Sequence, residues 1–376
     1  MKIKVYELSE IVSGEQIFVN RLIDKFNAEK IVLWDNLNNV PKIKMNYIIK
    51  FLYSIINKIS PLFGEYFGTR MIFVFYKLKD QENINIVSSS FITIPKGRNI
   101  IAYIHTPPRM FTIDYEDIKK RVMSRSKFWY VIMPVAKYLF NKYYKHSLKH
   151  AKIILANSYT TRKRLLDFYG VNSIVVYQGI DVDEYKNLNY GDYFLYLSRI
   201  HILKRQDFAI RAFAEFFKHN KNFKLIIAGY LSNNIEDIEY LNLLKNLVKK
   251  EHLPVIFKLN ISRNEVLDLY SNAYLCLFCG KDEDFGHIPL ESMASEKPII
   301  SVAEGGPTET IIDGVTGFLV KDEKEMAEKM LLLINNIELT KKIGKAGRQH
   351  VIDNFSWDKF DKEIVSAIKI IKNDYL

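Results

Sequence analysis

Short apolar runs alternate with helical segments along almost the whole chain. In the first half they predict strands at Lys2–Leu8, Lys30–Trp34, Ile84–Ser88, Asn99–Ile104, Lys152–Ala156 and Ser173–Tyr177. The second half repeats the pattern at Tyr193–Leu197, Phe223–Ala228, Val255–Leu259, Tyr274–Phe278, Pro298–Val302 and Phe318–Val320. Segments of helical period separate most of these strands, as in Glu15–Phe26 and Thr160–Tyr169. Strands that are apolar throughout and joined by helices are typical of parallel sheets covered on both faces. The pattern therefore predicts an α/β protein with two doubly wound domains.

The domain boundary is expected near Asp181–Gly191, where Asp, Asn and Gly cluster between two predicted strands. The first domain would then cover residues 1–185 and the second residues 186–355. The last segment is amphipathic, with apolar residues at the helical spacing of Phe360, Ile364, Ile368 and Ile371. It is expected to be a helix, and residues 356–376 are expected to pack back on the first domain.

Composition narrows the class of protein. The 376 residues are 48% hydrophobic and 26% charged, which indicates an ordered globular chain and excludes a disordered or fibrous one. The apolar run Phe128–Ala136 falls far short of the roughly 20 residues that a membrane-spanning helix needs. Because the first residues lead into a strand rather than a signal sequence, a cytoplasmic protein is expected.

The two cysteines, Cys276 and Cys279, have the spacing of a redox pair or of half a zinc site. They lie in the run Tyr274–Cys279, however, which predicts a buried strand. An odd separation in a strand directs the two thiols to opposite faces, and the sequence has no second pair to complete a metal shell. We therefore interpret both cysteines as structural.

Positive charge is concentrated in one segment. Residues 118–166 contain thirteen Lys or Arg and no Asp or Glu, which exceeds the net charge of +11 of the whole chain. Aromatic residues are interleaved with these bases, as in Lys127–Tyr130 and Lys142–Lys145. Three interpretations are open: an anionic membrane surface, a nucleic acid, or a solvated helix face with ordinary packing behind it.

Two cations follow the predicted strand Tyr193–Leu197. Arg199 and Lys204 are five residues apart in a loop that opens a helix, and Ser198 precedes them. Ligands of parallel sheets bind beyond the carboxyl ends of the strands, and the amides and dipole of a helix start favour anions. This position suits a diphosphate, although a pair of surface cations is the alternative.

Two carboxylates follow the predicted strand Tyr274–Phe278. Pro289 is best tolerated in the first turn of a helix, which predicts a helix start near Ile288. Glu291 would then lie inside that helix and Glu283 in the loop before it. Carboxylates so placed can each accept hydrogen bonds from pairs of hydroxyls, as a sugar nucleotide requires. The alternative is two solvated acids near a helix start, which the helix dipole favours in any case.

The run Glu283-Asp-Phe-Gly-His-Ile-Pro-Leu-Glu291 resembles the Glu-x7-Glu signature of the family 4 retaining glycosyltransferases of the GT-B fold. Its first four residues are similar to the mannosyltransferase branch of that family. Further ordered matches are Ser13–Glu15, Ser88–Ser90, Tyr103–Arg109, Asn157–Ser158, Val175–Asp181, Arg199 with Lys204, Gly305–Glu309 and Asp313–Gly317. The resemblance implies two Rossmann-like domains facing a cleft, the first binding the acceptor and the second the nucleotide-sugar donor.

The resemblance also implies roles for individual residues. Arg199 and Lys204 would hold the donor diphosphate and offset the charge that develops on the leaving group. Glu283 would hold hydroxyls of the transferred sugar, Glu291 would hold the ribose, and His105 would contact the sugar near the reacting carbon. The remaining predicted donor-binding residues are Gly14, Ser198, Phe285, Gly286, His287 and Ile288. No protein nucleophile is assigned, because such enzymes are thought to lack a clear one.

No cofactor and no metal are expected. The pairs Asp181 with Asp183 and Asp282 with Asp284 have the Asp-x-Asp spelling of metal-held diphosphates. The first pair falls in the domain boundary and the second inside the signature, while Arg199 and Lys204 make a divalent ion unnecessary.

The chain departs from the family pattern at four positions, none of which removes a charged group. Ser13 and Ser198 lie where glycine is common, Asn260 replaces a glycine after the predicted strand Val255–Leu259, and His287 replaces an aliphatic residue.

Together these features predict a retaining, metal-independent glycosyltransferase that moves a hexose to a glycan or lipid-linked glycan. Mannose from GDP-mannose is the expected donor, with a UDP-sugar as the alternative. A lipid-linked acceptor would explain residues 118–166, so an anionic membrane is favoured over nucleic acid, and the protein is expected in the cytoplasm, peripheral on the inner membrane face. Other candidates are a GT-B-fold epimerase or phosphorylase, and a non-catalytic protein that binds glycans or nucleic acid.

Overall fold

The computed structural model describes residues 2–7, 14–32, 34–35, 40–41, 78, 82–90, 93–125 and 127–373. Strands and helices are numbered along these residues. The chain forms two compact units: Met1–Tyr177 together with Asp361–Leu376, and Gln178–Phe360. The sequence prediction placed the change between residues 185 and 186.

The first unit contains a sheet of six parallel strands in the order β2-β1-β5-β6-β7-β8. Its strands are β1 (Ile3–Glu7), β2 (Glu29–Val32), β5 (Ile84–Ser90), β6 (Ile100–Thr106), β7 (Ile153–Ala156) and β8 (Ile174–Val175). A separate antiparallel pair is formed by β3 (Trp34–Asp35) and β4 (Val40–Pro41). The helices that precede the second unit are α1 (Gly14–Phe26), α2 (Tyr115–Arg125), α3 (Lys127–Leu148) and α4 (Tyr159–Tyr169).

The core of this unit lies around the two central strands. Ile86 and Val87 of β5 are completely buried, as are Ile101 and Tyr103 of β6. Both faces of these strands are covered, which explains why their sequences are apolar without alternation. Phe140 of α3 is also buried here.

The second unit contains six parallel strands in the order β11-β10-β9-β12-β13-β14. They are β9 (Tyr193–Leu197), β10 (Lys224–Gly229), β11 (Val255–Leu259), β12 (Leu275–Phe278), β13 (Ile299–Val302) and β14 (Phe318–Val320). Leu195 of β9 is in register with Ile226 on one side and Cys276 on the other. The loops that leave β9 and β12 therefore emerge side by side at one edge of the sheet.

The two parallel sheets confirm the predicted α/β fold class. Helices join the strands of the second sheet. They are α5 (Gln206–Phe217), α6 (Ile235–Lys250), α7 (Arg263–Asn272), α8 (His287–Ala294), α9 (Pro307–Thr310), α10 (Glu323–Ile334) and α11 (Ile337–Asn354). Aromatic rings fill one layer of the core: Phe194 packs edge-on against Phe216 at 4.9 Å and stacks on Phe223 at 5.0 Å. Such pairs contribute about 0.5 to 1.5 kcal/mol each beyond the area they bury.

The last helix, α12 (Trp357–Asn373), belongs to the first unit from Asp361 onward. The buried Asp361 carboxylate lies 2.5 Å from Arg21 Nη2 and 3.0 Å from Lys25 Nζ of α1. Two cations thus offset the cost of burying this carboxylate. Among the described residues no helix is both long and apolar enough to cross a membrane.

Both cysteines are buried and unpaired. Burial raises the pKa of the Cys276 thiol to about 12 and that of the Cys279 thiol well above its usual range. Since the thiolate is the form that binds metals and attacks disulfides, neither thiol is suited to that chemistry at neutral pH. Both cysteine side chains are core residues of the second unit.

Candidate functional site

Hydrogen bonds from a buried side chain fix the loop that follows β9. Ser198 and Arg199 follow the strand, and a short 3₁₀ turn at Ile202–Lys204 leads into α5. Gln206 is completely buried, and its Nε2 lies 2.8 Å from both Ser198 Oγ and the Arg199 carbonyl oxygen. A buried amide that donates both its hydrogens to one loop fixes the path of that loop.

Gly229 ends the neighbouring strand β10 and packs directly on the same loop. A Cβ at this position would lie 2.0 Å from the Ser198 carbonyl oxygen, and the backbone has φ +143°. Only glycine permits so close an approach of two backbones. The loop is therefore supported on the β10 side as well.

Tyr196 connects the β9 loop with the β12 loop. Its hydroxyl donates to the Lys204 carbonyl oxygen and accepts a hydrogen bond from the Cys279 amide at 3.2 Å. The Lys281 amide adds a bond to the Leu203 carbonyl oxygen at 2.8 Å. Burial raises the Tyr196 pKa well above its usual range, so the hydroxyl remains a donor. The two loops thus form one hydrogen-bonded surface.

Lys204 and Glu283 meet on that surface. Lys204 Nζ lies 2.5 Å from Glu283 Oε2, and the two side chains are 26% and 25% exposed. The ammonium also lies 5.7 Å from the centre of the Phe278 ring. Two residues separated by 79 positions, one predicted to hold phosphate and one to hold sugar hydroxyls, are therefore in direct contact. Partial exposure leaves both groups accessible to a ligand.

Arg199 takes no part in the contact of Lys204 with Glu283. Its side chain is exposed, and its guanidinium makes no hydrogen bond or ion pair with any residue that the structure describes. The next arginine, Arg205, differs, since its guanidinium lies 2.9 Å from Glu304. Arg199 thus presents an uncompensated positive charge beside the β9 loop.

The loop that carries Glu283 is supported by two consecutive glycines. A Cβ on Gly305, which has φ +62°, would lie 2.2 Å from the Glu283 carbonyl oxygen. A Cβ on Gly306 would lie 2.3 Å from the carbonyl oxygen of Phe285, and the Gly306 amide donates to the Glu283 carbonyl at 2.8 Å. The backbone of Gly305–Gly306 thus packs directly against the Glu283 loop. This close packing is the physical reason for glycine at two positions that the sequence analysis identified only through a family pattern.

Helix α8 begins at His287, one residue before the predicted start at Ile288, and Pro289 lies in its first turn as predicted. Gly286 precedes it with φ +89°. His287 Nε2 lies 2.7 Å from Gln178 Oε1, and its ring packs edge-on against buried Phe285 at 5.1 Å. His287, which replaces an aliphatic residue of the family pattern, therefore contacts Gln178 and Phe285 of its own unit.

Glu291 lies one turn into α8 in a largely buried position, with 14% of its side chain exposed. Its Oε2 accepts a hydrogen bond from the Tyr270 hydroxyl at 2.8 Å, and its Oε1 lies 3.9 Å from Arg263 Nη1. Burial raises the pKa of the Glu291 carboxyl above its ordinary value, while Tyr270, Arg263 and Tyr185 act in the opposite direction.

Arg263 and Tyr270 of α7, together with Tyr185, are residues that the sequence analysis missed. Arg263 Nη2 lies 2.6 Å from Glu184 and 2.8 Å from the Tyr185 hydroxyl, so the guanidinium is anchored beside Glu291. Arg263 opens a helix just beyond the carboxyl end of β11. The search of strand ends that identified Arg199 could also have identified it.

Two predicted site residues belong to the first unit. His105, on β6, is 7% exposed, and its Nε2 lies 2.9 Å from Ser88 Oγ. The rings of Phe18 and Tyr103 each lie 5.0 Å from the imidazole, so its orientation is fixed. Gly14 is the first residue of α1. Ser13, whose replacement of glycine was noted, lies outside the described residues.

Among the residues that the structure describes, no three His, Cys, Asp or Glu side chains form a group that could hold a metal ion. The predicted diphosphate position instead has Lys204 and Arg199. Ammonium and guanidinium groups are ordinary partners for phosphate oxygens.

Two family models match adjoining parts of the chain. The family described as Glycosyltransferase Family 4 matches residues 50–184, and Glycosyl transferases group 1 matches residues 182–350. The second match includes Lys204, Glu283 and Glu291.

Curated relatives are about 30% identical to this chain over the residues that align. The alpha-1,3/1,6-mannosyltransferase ALG2 of Dictyostelium discoideum is 30% identical over 250 residues, which cover 60% of this chain and 58% of that protein. The capsular polysaccharide biosynthesis glycosyltransferase CapM of Staphylococcus aureus is 29% identical over 242 residues, covering 59% and 60%. The chain thus matches less than two thirds of the length of these relatives.

Solved structures match over nearly the full chain at low identity. Sucrose-phosphate synthase from Thermosynechococcus elongatus has a TM-score of 0.70 at 15% identity and covers 99% of both chains. Anabaena HepE in complex with UDP and glucose has a TM-score of 0.68 at 15% identity and covers 98% of this chain and 99% of that one. The two family models together cover residues 50–350, so the chain belongs to the family 4 and group 1 glycosyltransferases, and it has the GT-B fold of these solved structures.

Proposed function

We propose that the protein is a retaining glycosyltransferase that moves a hexose from a nucleoside diphosphate sugar to a glycan acceptor. The observation that carries this proposal is the contact of Lys204 with Glu283 at the carboxyl edge of the second sheet, with Glu291 on the helix that follows the Glu283 loop. In the reaction the bond from the anomeric carbon to the donor phosphate oxygen breaks. A bond from the acceptor hydroxyl oxygen to the anomeric carbon forms on the same face, and the hydroxyl proton passes to the departing diphosphate.

Lys204 and Arg199 act on the leaving group. Negative charge grows on the diphosphate as the bond to the sugar breaks, and a positive charge already in position stabilises that charge without reorganisation. Lys204 is held by its bond to Glu283 and by the support of the β9 loop beneath it. Arg199 adds the charge that no described carboxylate neutralises.

Glu283 and Glu291 act on the two sugars of the donor. An ionised carboxylate accepts about four hydrogen bonds, so Glu283 can keep Lys204 and still accept from hydroxyls of the transferred hexose. Glu291 would accept from the ribose hydroxyls, with Tyr270 and Arg263 fixing its carboxylate. His105, Gly14, Ser198 and the run Phe285–Ile288 are the further donor contacts in this proposal.

Mannose from GDP-mannose is the donor that we propose. The Glu-Asp-Phe-Gly spelling at Glu283 and the mannosyltransferase relatives support it. A UDP-sugar is the alternative: HepE was solved with UDP and glucose, but at 15% identity that likeness concerns the fold alone.

The acceptor in this proposal is a glycan, either free or linked to a lipid. A lipid-linked acceptor requires the enzyme to work at a membrane surface, peripheral on the cytoplasmic face. The basic segment of residues 118–166 supports that location, since each base near an anionic membrane contributes about 1 kcal/mol of attraction.

The proposal is tested by thermal unfolding of the purified protein with a panel of nucleotide sugars. A ligand at a hundred times its Kd stabilises the folded state by about 2.7 kcal/mol, so GDP-mannose should raise the Tm measurably. The best ligand is then incubated with and without glycan acceptors, and product anomers are assigned by NMR.

Nucleotide release that requires an acceptor, with the α-linkage retained, is the expected result. Release that requires inorganic phosphate instead of a glycan would identify a phosphorylase, and interconversion of the sugar nucleotide itself would identify an epimerase. Absence of stabilisation by every nucleotide sugar would count against any donor site.

A further inference from the structure

Helix α3 exposes an apolar stripe in the first unit. Val131, Val135, Tyr138 and Leu139 are 71%, 59%, 64% and 43% exposed. They recur at intervals of four, three and one residues, which places them on one side of an α-helix. Isolated exposed apolar residues are ordinary in soluble proteins, whereas a contiguous stripe marks a contact surface.

The exposed stripe is not the side of α3 that packs against the core, because a different side of the helix is buried. That side carries Ala136, Phe140, Tyr144 and Leu148, each at most 6% exposed. Phe140 packs against Phe111 with ring centres 4.6 Å apart. The stripe is therefore a second apolar side on a helix whose core contacts are complete.

The same exposed side becomes basic toward the end of the helix. Lys142 and Lys145 are exposed in the last two turns, and Lys149 is exposed just beyond them. In an α-helix these residues continue the line of Val131, Val135 and Tyr138. No acidic residue interrupts residues 118–166, so nothing in that segment compensates these charges.

A cavity of about 550 Å³ lies alongside, between α3 and α4. Its lining combines lysines with aromatic rings: Pro134, Lys137, Tyr138, Asn141, Lys142, Lys145, Phe168 and Tyr169. Phe168 is 47% exposed, so the apolar surface continues onto the neighbouring helix. Ammonium groups at the border of an apolar surface suit the phosphate headgroups of lipids, whose acyl chains lie next to them.

We propose that this side of α3, with the α3/α4 cavity, is a docking surface for an anionic lipid bilayer. This docking surface consists of Val131, Val135, Tyr138 and Leu139 together with Lys142, Lys145 and Lys149. The apolar stripe enters the headgroup boundary and the lysines contact lipid phosphates. The biological purpose of docking rests on the proposed function, because it brings the enzyme to a lipid-linked acceptor.

Aliphatic side chains decide between a membrane and a nucleic acid. A nucleic-acid surface uses bases for phosphates and aromatic rings for stacking on nucleobases. Valine and leucine at positions 131, 135 and 139 have no partner on such a ligand, yet they gain free energy in a lipid interface.

The lysine half is tested by sedimentation of the full chain with phosphatidylcholine vesicles, with or without about a third of phosphatidylglycerol. The wild type should bind the anionic vesicles and not the neutral ones, and added salt should weaken binding. K142Q/K145Q/K149Q should bind roughly a hundredfold more weakly, at about fivefold for each base near the surface.

The matched control is on α6 in the other unit, where Lys245, Lys249 and Lys250 are also exposed. K245Q/K249Q/K250Q removes the same charge and should change vesicle binding by less than about twofold, since that surface lies outside the proposed contact. An equal loss in the control would show that overall charge is responsible and would overturn the proposal.

The apolar half is tested by V131S/V135S/L139S, which leaves every charge in place. Binding to anionic vesicles should fall at both low and high salt, because the lost contribution is not electrostatic. The control I235S/I238S/L243S changes three exposed apolar residues of α6 and should leave binding unchanged. Full binding by the α3 variant would refute the insertion of the stripe.

Other outcomes are equally decisive. Absence of binding to anionic vesicles, equal binding to neutral ones, or a preference for a single-stranded oligonucleotide that the lysine variant loses would each overturn the proposal. Every variant is also checked for an unchanged Tm and for stabilisation by nucleotide sugar. Vesicle binding without nucleotide-sugar binding would support the docking surface and refute the proposed function. Nucleotide-sugar binding without vesicle binding would support the proposed function and refute the docking surface.

Discussion

Replacement of Lys204 by alanine removes the cation that the proposed mechanism places on the leaving diphosphate. Its ammonium lies 2.5 Å from Glu283 Oε2, and both side chains are about three quarters covered. The change therefore has two effects on the donor. It removes a stabilising charge from the transition state, and it leaves the Glu283 carboxylate without its counter-charge next to a ligand that is itself anionic.

The expected magnitude follows from comparable electrostatic contacts. Loss of one preorganised donor to a developing oxyanion costs about 2 to 4 kcal/mol, which is a loss of roughly 30-fold to 1000-fold in kcat/KM. Because charge on the phosphate grows during the reaction, most of the loss should appear in kcat. A cation that only binds the ground state would instead raise KM and leave kcat unchanged.

The assay is steady-state sugar transfer with purified Lys204→Ala enzyme, and Arg205→Ala is the matched control. Arg205 is the adjacent cation, but its guanidinium is paired with Glu304 at 2.9 Å. The control should stay within about threefold of the wild type, since the charge that it removes is already paired away from the donor position. A folded Lys204→Ala enzyme with near wild-type kcat/KM, or an equal loss in both variants, would refute the reasoning.

The contact of Lys204 with Glu283 adds a second test to the same series. Groups in direct contact have coupling energies of about 0.5 to 3 kcal/mol, so the losses from Lys204→Ala and Glu283→Gln should not add. The double variant should be less impaired than the sum of the single changes. Strict additivity would mean that the two side chains act on the donor independently.

Three further predictions concern the surroundings of this pair. Glu283→Gln should lower kcat more than Glu291→Gln, which should mainly raise the donor KM, as steady-state kinetics will show. Gly305→Ala should lower the free energy of unfolding by at least about 1 kcal/mol more than Gly314→Ala in urea titrations. Both glycines have positive φ, but a Cβ at 305 would meet the Glu283 carbonyl at 2.2 Å, whereas one at 314 has no atom within 4 Å. Tyr270→Phe removes a hydrogen bond that lowers the Glu291 pKa, so the Glu291 pKa should be higher in the variant than in the wild type. As the solution is acidified, binding titrations should therefore show the variant losing donor affinity at a higher pH than the wild type.

The sequence predicted the strands of the second unit best. The strands Tyr193–Leu197, Val255–Leu259 and Phe318–Val320 have the predicted bounds. Buried parallel strands consist of continuous apolar runs, and such runs end where the strand ends. Ser173–Tyr177 was wrong in extent, since the strand covers only Ile174–Val175.

The candidate site was predictable in its parts but not in its arrangement. The rule that ligands bind beyond strand ends selected the loops of Lys204 and Glu283. Their contact depends on β9 lying next to β12, which is a property of the sheet order and not of either local sequence. The resemblance to a family supplied that link, because residue spacing alone left surface cations and solvated acids as alternatives.

The residues that sequence analysis missed act through distant partners. Tyr270 meets Glu291 across 21 positions, and Arg263 meets Glu184 across 79. Gly305 was identified as part of a family match, but the reason for a glycine there, the Glu283 carbonyl group on another loop, was not predicted. The position of Arg263 just beyond the end of β11 is a local signal, but the contacts themselves emerge only when the elements are assembled.

The central claim is that Lys204, Glu283 and Glu291 together bind one nucleoside diphosphate sugar. A crystal structure of the protein with GDP-mannose, or with the nucleotide sugar that stabilises it best, tests this most directly. The account predicts a phosphate oxygen within about 3.2 Å of Lys204 Nζ, hexose hydroxyls at Glu283 and ribose hydroxyls at Glu291. A ligand bound elsewhere, with the ion pair of Lys204 and Glu283 unchanged, would contradict it.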